Sequence, residues 1–292
     1  MTFRKLLAGV AALWLAACGQ PPQPPPSPDN PFLWEVRNSD GEVEGWLYGT
    51  IHALPDGAEW RGKAVTDVID AADLLVVEVA NLHDGAAIAS EFQRASRSAG
   101  HPPLRERVAA NEASVIEELA NRTPYSPDEF RQIETWAAAL MLAQTIRRDA
   151  DSANGVDKAL LSDFRGREVI ELEGAEKQFA IFDALAEEDQ RVLLDAVIDE
   201  ALEQGSGDTP AALWLAGDLE ALEKETTSGM LADKEVRDAL LVMRNRDWAS
   251  QLTGLFAKDA LPLVAVGAAH LPGPDGLVAM LAAKGYTLRR LP

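Results

Sequence analysis

Apolar positions in this chain follow two regimes, short and nearly unbroken runs toward its ends and helix-spaced runs through its middle. Phe32 to Val36 and Glu44 to Tyr48 are short and rich in aromatic residues. Ser39-Asp40-Gly41 between them has the residue types of a tight turn, which predicts a β-hairpin. Trp60 to Ala72 sets Val65, Val68, Ile69 and Ala72 at helical spacing. Asp73 to Val79 then reads as a buried strand whose apolar run is interrupted only by Glu78. From about Asp84 to Asp151 the pattern is helical. Ser126-Pro127-Asp128-Glu129 has a serine cap, a proline at the first position and a glutamate at the third. A helix carrying Phe130, Ile133, Trp136, Leu140 and Leu142 is expected behind it. A helix from Val156 to Phe164 precedes a strand from Glu168 to Glu173. Residues 175 to 258 read as helices broken near Gly205-Ser206-Gly207 and Thr226-Thr227-Ser228-Gly229. The tail predicts strand Leu263 to Val266, helix Gly276 to Ala283 and strand Tyr286 to Leu291. The expected class is α/β (mixed α+β), a central mixed sheet built from N- and C-terminal segments with a large helical insertion over it.

The first residues belong to targeting rather than to the fold. Arg4 and Lys5 precede an apolar stretch, Leu6 to Leu15, that is too short to span a bilayer. Leu15-Ala16-Ala17-Cys18 has the form of a bacterial lipobox, so residues 1–17 read as a lipoprotein signal peptide and Cys18 as the lipidated first residue. Cys18 is the single cysteine of the 292 residues. Gly19 follows it, with no aspartate at the next position, which points to an outer-membrane anchor facing the periplasm. Residues 18–31 then form a tether that holds seven of the chain's 17 prolines. Extended at ~3.1 Å per residue, Gln20 to Pro31 reaches about 35 Å. Residues 32–292 are expected to form one domain, which is enough chain for a substantial core.

The formal charge is −20, and loss of Arg4 and Lys5 with the signal peptide makes it two units more negative. A body this acidic is repelled by nucleic acid and by anionic headgroups, which argues against both as partners. It leaves peptide, small-molecule, cationic or metal ligands open.

Candidate chemistry concentrates in one short pattern that occurs twice. The first copy, Gly45 to Gly57, holds Gly49-Thr50-Ile51-His52 followed by Leu54-Pro55-Asp56-Gly57. The second, Leu263 to Gly276, holds Gly267-Ala268-Ala269-His270, then Leu271-Pro272 and Asp275-Gly276. Each is an apolar run, then Gly-x-x-His, then Leu-Pro and Asp-Gly, and the repeat hints at a pseudo-twofold duplication. Two of the chain's four histidines sit in it. Neutral imidazole is a common ligand for first-row metals and the usual general base near neutral pH. Glu78 adds a carboxylate inside Leu74-Leu75-Val76-Val77-Glu78-Val79, where burial is costly unless it is paired, hydrogen-bonded or bound to a cation. Two imidazoles and a carboxylate suit Mn, Co, Fe or Zn. Arg244 could orient Glu78 or hold an oxyanion, and Asn245 beside it would need polar partners if it faces the interior. Arg246 reads as a solvated face. Asp157 and Glu173 fit cap and strand-end roles, while His83 and His101 lie in polar, loop-like contexts outside the candidate set. The chain has no Gly-rich phosphate loop followed by Lys-Ser/Thr, no Gly-x-Ser-x-Gly elbow and no His-Glu-x-x-His helix.

These residues resemble the TraB/PrgY/GumN family, and most of all its GumN-type bacterial members. The resemblance rests on Leu33-Trp34-Glu35-Val36, Gly49-Thr50-Ile51-His52, Ala72-Asp73-Leu74-Leu75-Val76-Val77-Glu78, Gly155-Val156-Asp157, Glu171-Leu172-Glu173 with Gln178, Arg244-Asn245 with Trp248, and Gly267-Ala268-Ala269-His270-Leu271. Gly276-Leu277 and Gly285-Tyr286 complete the series, which spans nearly all of residues 32 to 291. The family is similar to the Tiki proteins, regarded as metal-dependent proteases with two Gly-x-x-His motifs and a glutamate. A related fold occurs in erythromycin esterase and ChaN-like proteins. The resemblance implies that fold, a metal or catalytic set of His52, Glu78 and His270, and Mn or Co as the ion.

The expected protein is thus a lipid-anchored envelope metal-dependent hydrolase acting on a peptide or small-molecule substrate. Arg244 or Asn245 would stabilise the oxyanion, and the general base is left open. The alternative is a non-catalytic protein of the TraB/PrgY type that sequesters a peptide or signal. Oligomeric state has no signature in the sequence.

Overall fold

The computed structural model describes residues 32–146, 150–203 and 209–292. The expected signal peptide, the lipidated Cys18, the proline-rich tether and the break at Gly205-Ser206-Gly207 lie outside the described residues. Among those described, no helix is long and apolar enough to cross a membrane.

Six strands form one mixed sheet in the order β4-β3-β5-β2-β1-β6. β1 (Leu33–Arg37) and β2 (Val43–Thr50) are the expected hairpin. Its turn is organised one residue earlier than expected. The Asn38 side-chain oxygen accepts from the backbone N–H groups of Asp40 and Glu42, and Gly41 takes the left-handed φ of +82°. An asparagine bonded to its own backbone in this way substitutes for a backbone turn. β3 (Leu74–Val77) is a run of four buried residues that ends just before Glu78. β4 (Glu168–Glu171) comes from the middle of the chain and lies at one edge. β5 (Pro262–Gly267) inserts between β3 and β2, and β6 (Thr287–Arg290) closes the other edge on β1.

β4, β3, β5 and β2 run parallel, so their carboxyl ends open along one edge of the sheet. The chain leaves β2, passes through α1 (Lys63–Ala71) and reaches β3 two places away. The vacant place is filled last, by β5. Such a switch in strand order opens a crevice beyond the carboxyl ends, where open α/β sheets bind ligands. The two Gly-x-x-His units lie on β2 and β5, which are parallel neighbours with Thr50 opposite Gly267. The repeated units are thus side by side and run the same way through the sheet.

Helices between β3 and β4 and between β4 and β5 divide the expected insertion in two. The first set comprises α2 (Gly85–Ala95), α3 (Ala113–Asn121), α4 (Thr135–Ala143) and α5 (Val156–Asp163). The second comprises α6 (Gly174–Asp183), α7 (Glu187–Leu202), α8 (Pro210–Ala216), α9 (Leu219–Glu225), α10 (Lys234–Arg237) and α11 (Met243–Phe256). α12 (Leu277–Ala283) connects β5 to β6. One apolar core is built on the sheet. A second gathers Leu104, Ile116, Phe130, Trp136, Leu194 and Val236 from the helices alone.

The helix expected behind Ser126 starts later. Glu129 does bond back to the Ser126 N–H, at 2.7 Å, but only a 3₁₀ turn, Glu129–Gln132, follows. Ile133 is extended and α4 begins at Thr135. The cause lies some 25 residues upstream, in the fully buried Arg107. Its guanidinium donates to the carbonyls of Pro102, Phe130 and Ile133, and the last two lie in the stretch where a continuous helix would have used them itself.

Candidate functional site

Each parallel strand delivers one polar side chain just past its carboxyl end. His52 follows β2, Glu78 follows β3, Glu173 follows β4 and His270 follows β5. Gly267 lies at their focus. A methyl group there would sit 3.3 Å from Glu78 Oε1, 3.6 Å from His270 Cδ2 and 3.9 Å from His52 Nε2. The glycine therefore keeps open the space that the three expected residues share.

His52 is positioned by a residue the sequence had placed in a cap role. Its Nδ1 lies 2.8 Å from Oδ2 of Asp157, whose carboxylate is buried while the imidazole is 67% exposed. Asp157 is also held by the Thr50 hydroxyl, and it sits in the first turn of α5. The loop is sewn to that helix start by backbone, with the Val156 N–H donating to the Ile51 carbonyl. Gly155 is needed here because a methyl on it would lie 2.4 Å from the His52 carbonyl oxygen. The Asp157 carboxylate, by its charge and its hydrogen bond, raises the imidazole to about 9. With Nδ1 committed to Asp157, the second nitrogen, Nε2, is the one presented toward Gly267.

His270 is buried and held differently. Its Nδ1 lies 2.6 Å from Asn245 Oδ1, and the Asn245 amide nitrogen donates to the Asp275 carbonyl, which fixes the amide's orientation. Nδ1 thus carries the proton and Nε2 the lone pair, which meets Arg244 Nη1 at 3.2 Å. Burial lowers this imidazole to about 3, so it is neutral at ordinary pH. The Trp248 ring packs against it at 4.5 Å between centroids.

Glu78 and Glu173 share one cation. Arg244 Nη2 donates to Glu78 Oε2 at 2.6 Å, and Arg244 Nε and Nη2 both reach Glu173. Glu78 also accepts from Gln178 and, through Oε1, from the Gly267 N–H at 2.7 Å. Burial by itself would raise this carboxyl, but the His270 and Arg244 side chains, with His52 and the Gly267 N–H, hold it at about 2. Burial instead raises Glu173. Arg244 spends its remaining donors on His270 and on the Leu240 carbonyl, so all of its N–H groups have partners within the chain. That leaves none for an oxyanion in this arrangement, and Asn245 is fully buried behind His270.

Arg244 and Asn245 follow a π-helical turn, Asp238–Val242, which joins α10 to α11. Such turns are rare and often mark functional sites. The repeated Asp-Gly pairs act as anchors for the two histidine loops. Asp56 accepts from Asn154, and Asp275 pairs with Arg237 at 2.6 Å. His83 and His101 lie elsewhere, against Ser162 and Ser98, and Arg246 is exposed.

The donor chemistry of His52 Nε2, His270 Nε2 and Glu78 suits a divalent first-row ion, and Asp157 and Asn245 are the outer partners such imidazoles require. Yet the Arg244 guanidinium stands on two of those donors. With the side chains as they are, no group of three or more His, Cys, Asp or Glu among the described residues is spaced to hold an ion.

The fold and site define a mixed α/β protein with a buried, charge-paired polar centre at a sheet switch point. The chain belongs to the TraB/PrgY/gumN family, whose model matches residues 32–290. It is similar to a protein of Escherichia coli K12 described as uncharacterized protein YbaP, with 26% identity over 282 residues. A Shigella flexneri protein of the same description is 24% identical over 282 residues. In both cases the match covers 94% of this chain and 99% of the relative. No solved structure matches the chain.

Proposed function

We propose that this protein is a metal-dependent hydrolase of peptides, tethered to the cell envelope through Cys18 and directed toward the periplasm. The single observation that carries the reading is the meeting of His52 Nε2, Glu78 and His270 around Gly267, at the carboxyl edge of four parallel strands. His52, His270 and Glu78 would hold the ion, with Mn or Co favoured and Zn or Fe compatible. When bound, such an ion polarises a carbonyl and lowers the pKa of its water.

The chain's own residues supply the rest. Asp157 fixes the ring plane of His52, and Asn245 fixes both the ring plane and the tautomer of His270. Gly267, through its N–H and its missing side chain, holds one Glu78 oxygen and keeps the shared space open. The negative body favours cations and disfavours nucleic acid, which fits a peptide or small-molecule substrate.

The test is calorimetry on the chelator-stripped full-length protein with Mn, Co and Zn, beside a peptide library read for new amino termini. Stoichiometric binding that is lost in His52→Ala, with ion-dependent cleavage lost in a folded His270→Ala, is the expected result. Absence of ion binding, or full cleavage by His270→Ala, overturns the reading. Peptide captured and returned intact would instead make the protein a sequestering module.

A further inference from the structure

The Arg244 guanidinium occupies the position in which a cation would satisfy Glu78 and His270. Asn245 and Asp275 fix the proton of His270 on Nδ1, so Nε2 holds its one lone pair, and Arg244 Nη1 lies 3.2 Å from it. The neighbouring Nη2 lies 2.6 Å from Glu78 Oε2. One lone pair cannot serve a guanidinium N–H and an ion together. An ion placed there would also face a positive charge at close range in a buried site, where screening is weak.

The same arginine has a second set of fastenings. Nε reaches both oxygens of Glu173, at 3.0 and 3.2 Å, and the Glu173 side chain is only 1% exposed. Trp248 lies beneath the guanidinium at 4.7 Å as a cation–π platform. Glu173 and Trp248 hold Arg244 through contacts that involve neither Glu78 nor the His270 lone pair. The group could therefore give up its contacts to His270 and Glu78 while its charge stays paired with Glu173.

We propose that Arg244 is the site's resident cation. It competes with a divalent ion for Glu78 and His270, and Glu173 is the post that retains it when it yields. Glu173 thereby becomes a positioning residue, acting through Arg244. The inference rests on the metal reading above. It assigns the strength of ion binding to Arg244, which sets a threshold concentration below which the site stays internally paired.

The test titrates Mn²⁺ into the chelator-stripped full-length wild type, Arg244→Met and Arg244→Lys. Arg244→Met is expected to bind about tenfold more tightly than wild type, or better, because a competing charge has gone. Arg244→Lys, which keeps the charge, is expected to stay near wild type. A merely structural arginine predicts the opposite, weaker binding in Arg244→Met. Wild-type binding with equal or weaker binding in Arg244→Met overturns the competition and leaves the metal reading standing. No binding by any of the three overturns both. Should Arg244→Met fail to fold, wild-type protein labelled with ¹⁵N and titrated with Zn²⁺ decides. The expected result is a ligand-type shift of His270 Nε2 while the Arg244 Nε–H stays protected on Glu173. Zn²⁺ bound with His270 Nε2 unchanged overturns the proposal.

Discussion

His52 Nδ1 lies 2.8 Å from Asp157 Oδ2, a contact between residues 105 positions apart. An exposed imidazole is held by a buried carboxylate that also receives the Thr50 hydroxyl. The pair joins the end of β2 to the first turn of α5 and leaves His52 Nε2 facing the shared space at Gly267.

Asp157→Asn should therefore lower His52 from about 9 toward its ordinary value near 6.5, read by NMR titration of the chelated protein. A folded-state pKa raised in this way contributes stability that is full below about 6.5 and is lost as pH rises through about 9. Asp157→Asn should cost stability at pH 6 and little at pH 10 in urea unfolding. An equal loss at both would assign the cost to packing.

The tautomer of His270 is a second expected outcome. Long-range ¹⁵N spectra should show the proton on Nδ1 in wild type, with no protonation down to about pH 4, since burial lowers this ring to about 3. Asn245→Ala removes the acceptor and should mix the tautomers. A wild-type signal from Nε2–H would refute the assignment.

Arg244→Ala leaves Glu78 and Glu173 buried without their cation. Breaking a buried pair in this way costs about 3–5 kcal/mol, which chemical denaturation at pH 7 would measure. Glu78 is held at about 2, below its ordinary value, so its contribution is present above about 4.5 and lost as pH falls through about 2. The penalty of the substitution should shrink between pH 7 and pH 3.

Two glycines should separate folding from function. Gly155→Ala drives a methyl to 2.4 Å from the His52 carbonyl oxygen, which is backbone and cannot step aside without moving the loop. It should destabilise by about 2 kcal/mol. Gly267→Ala meets the Glu78 carboxylate at 3.3 Å and intrudes on the two histidines. It should fold at near wild-type stability and bind Mn²⁺ more weakly. Unchanged Mn²⁺ affinity would remove Gly267 from the site.

The sequence by itself determined the strands and singled out the three residues that meet at Gly267, because both are written in short-range pattern. Aromatic-rich segments around a turn marked β1 and β2, continuous apolar runs marked β3 and β5, and glycine before each histidine marked where β2 and β5 stop. Glu78 stood out as the one charge in such a run. Local signals also misled where a distant group intervened, as when buried Arg107 took the carbonyls behind Ser126 and delayed α4 to Thr135. Only the tertiary structure decided that the two histidine loops are neighbours, since insertion of β5 between β3 and β2 is a matter of strand order. It likewise decided that Asp157 belongs to His52 and that Glu173 belongs to Arg244. Each of those contacts joins residues 71 or more positions apart. A charge or a carboxylate in a sequence shows that a partner is needed, but burial and chain path choose which partner it finds.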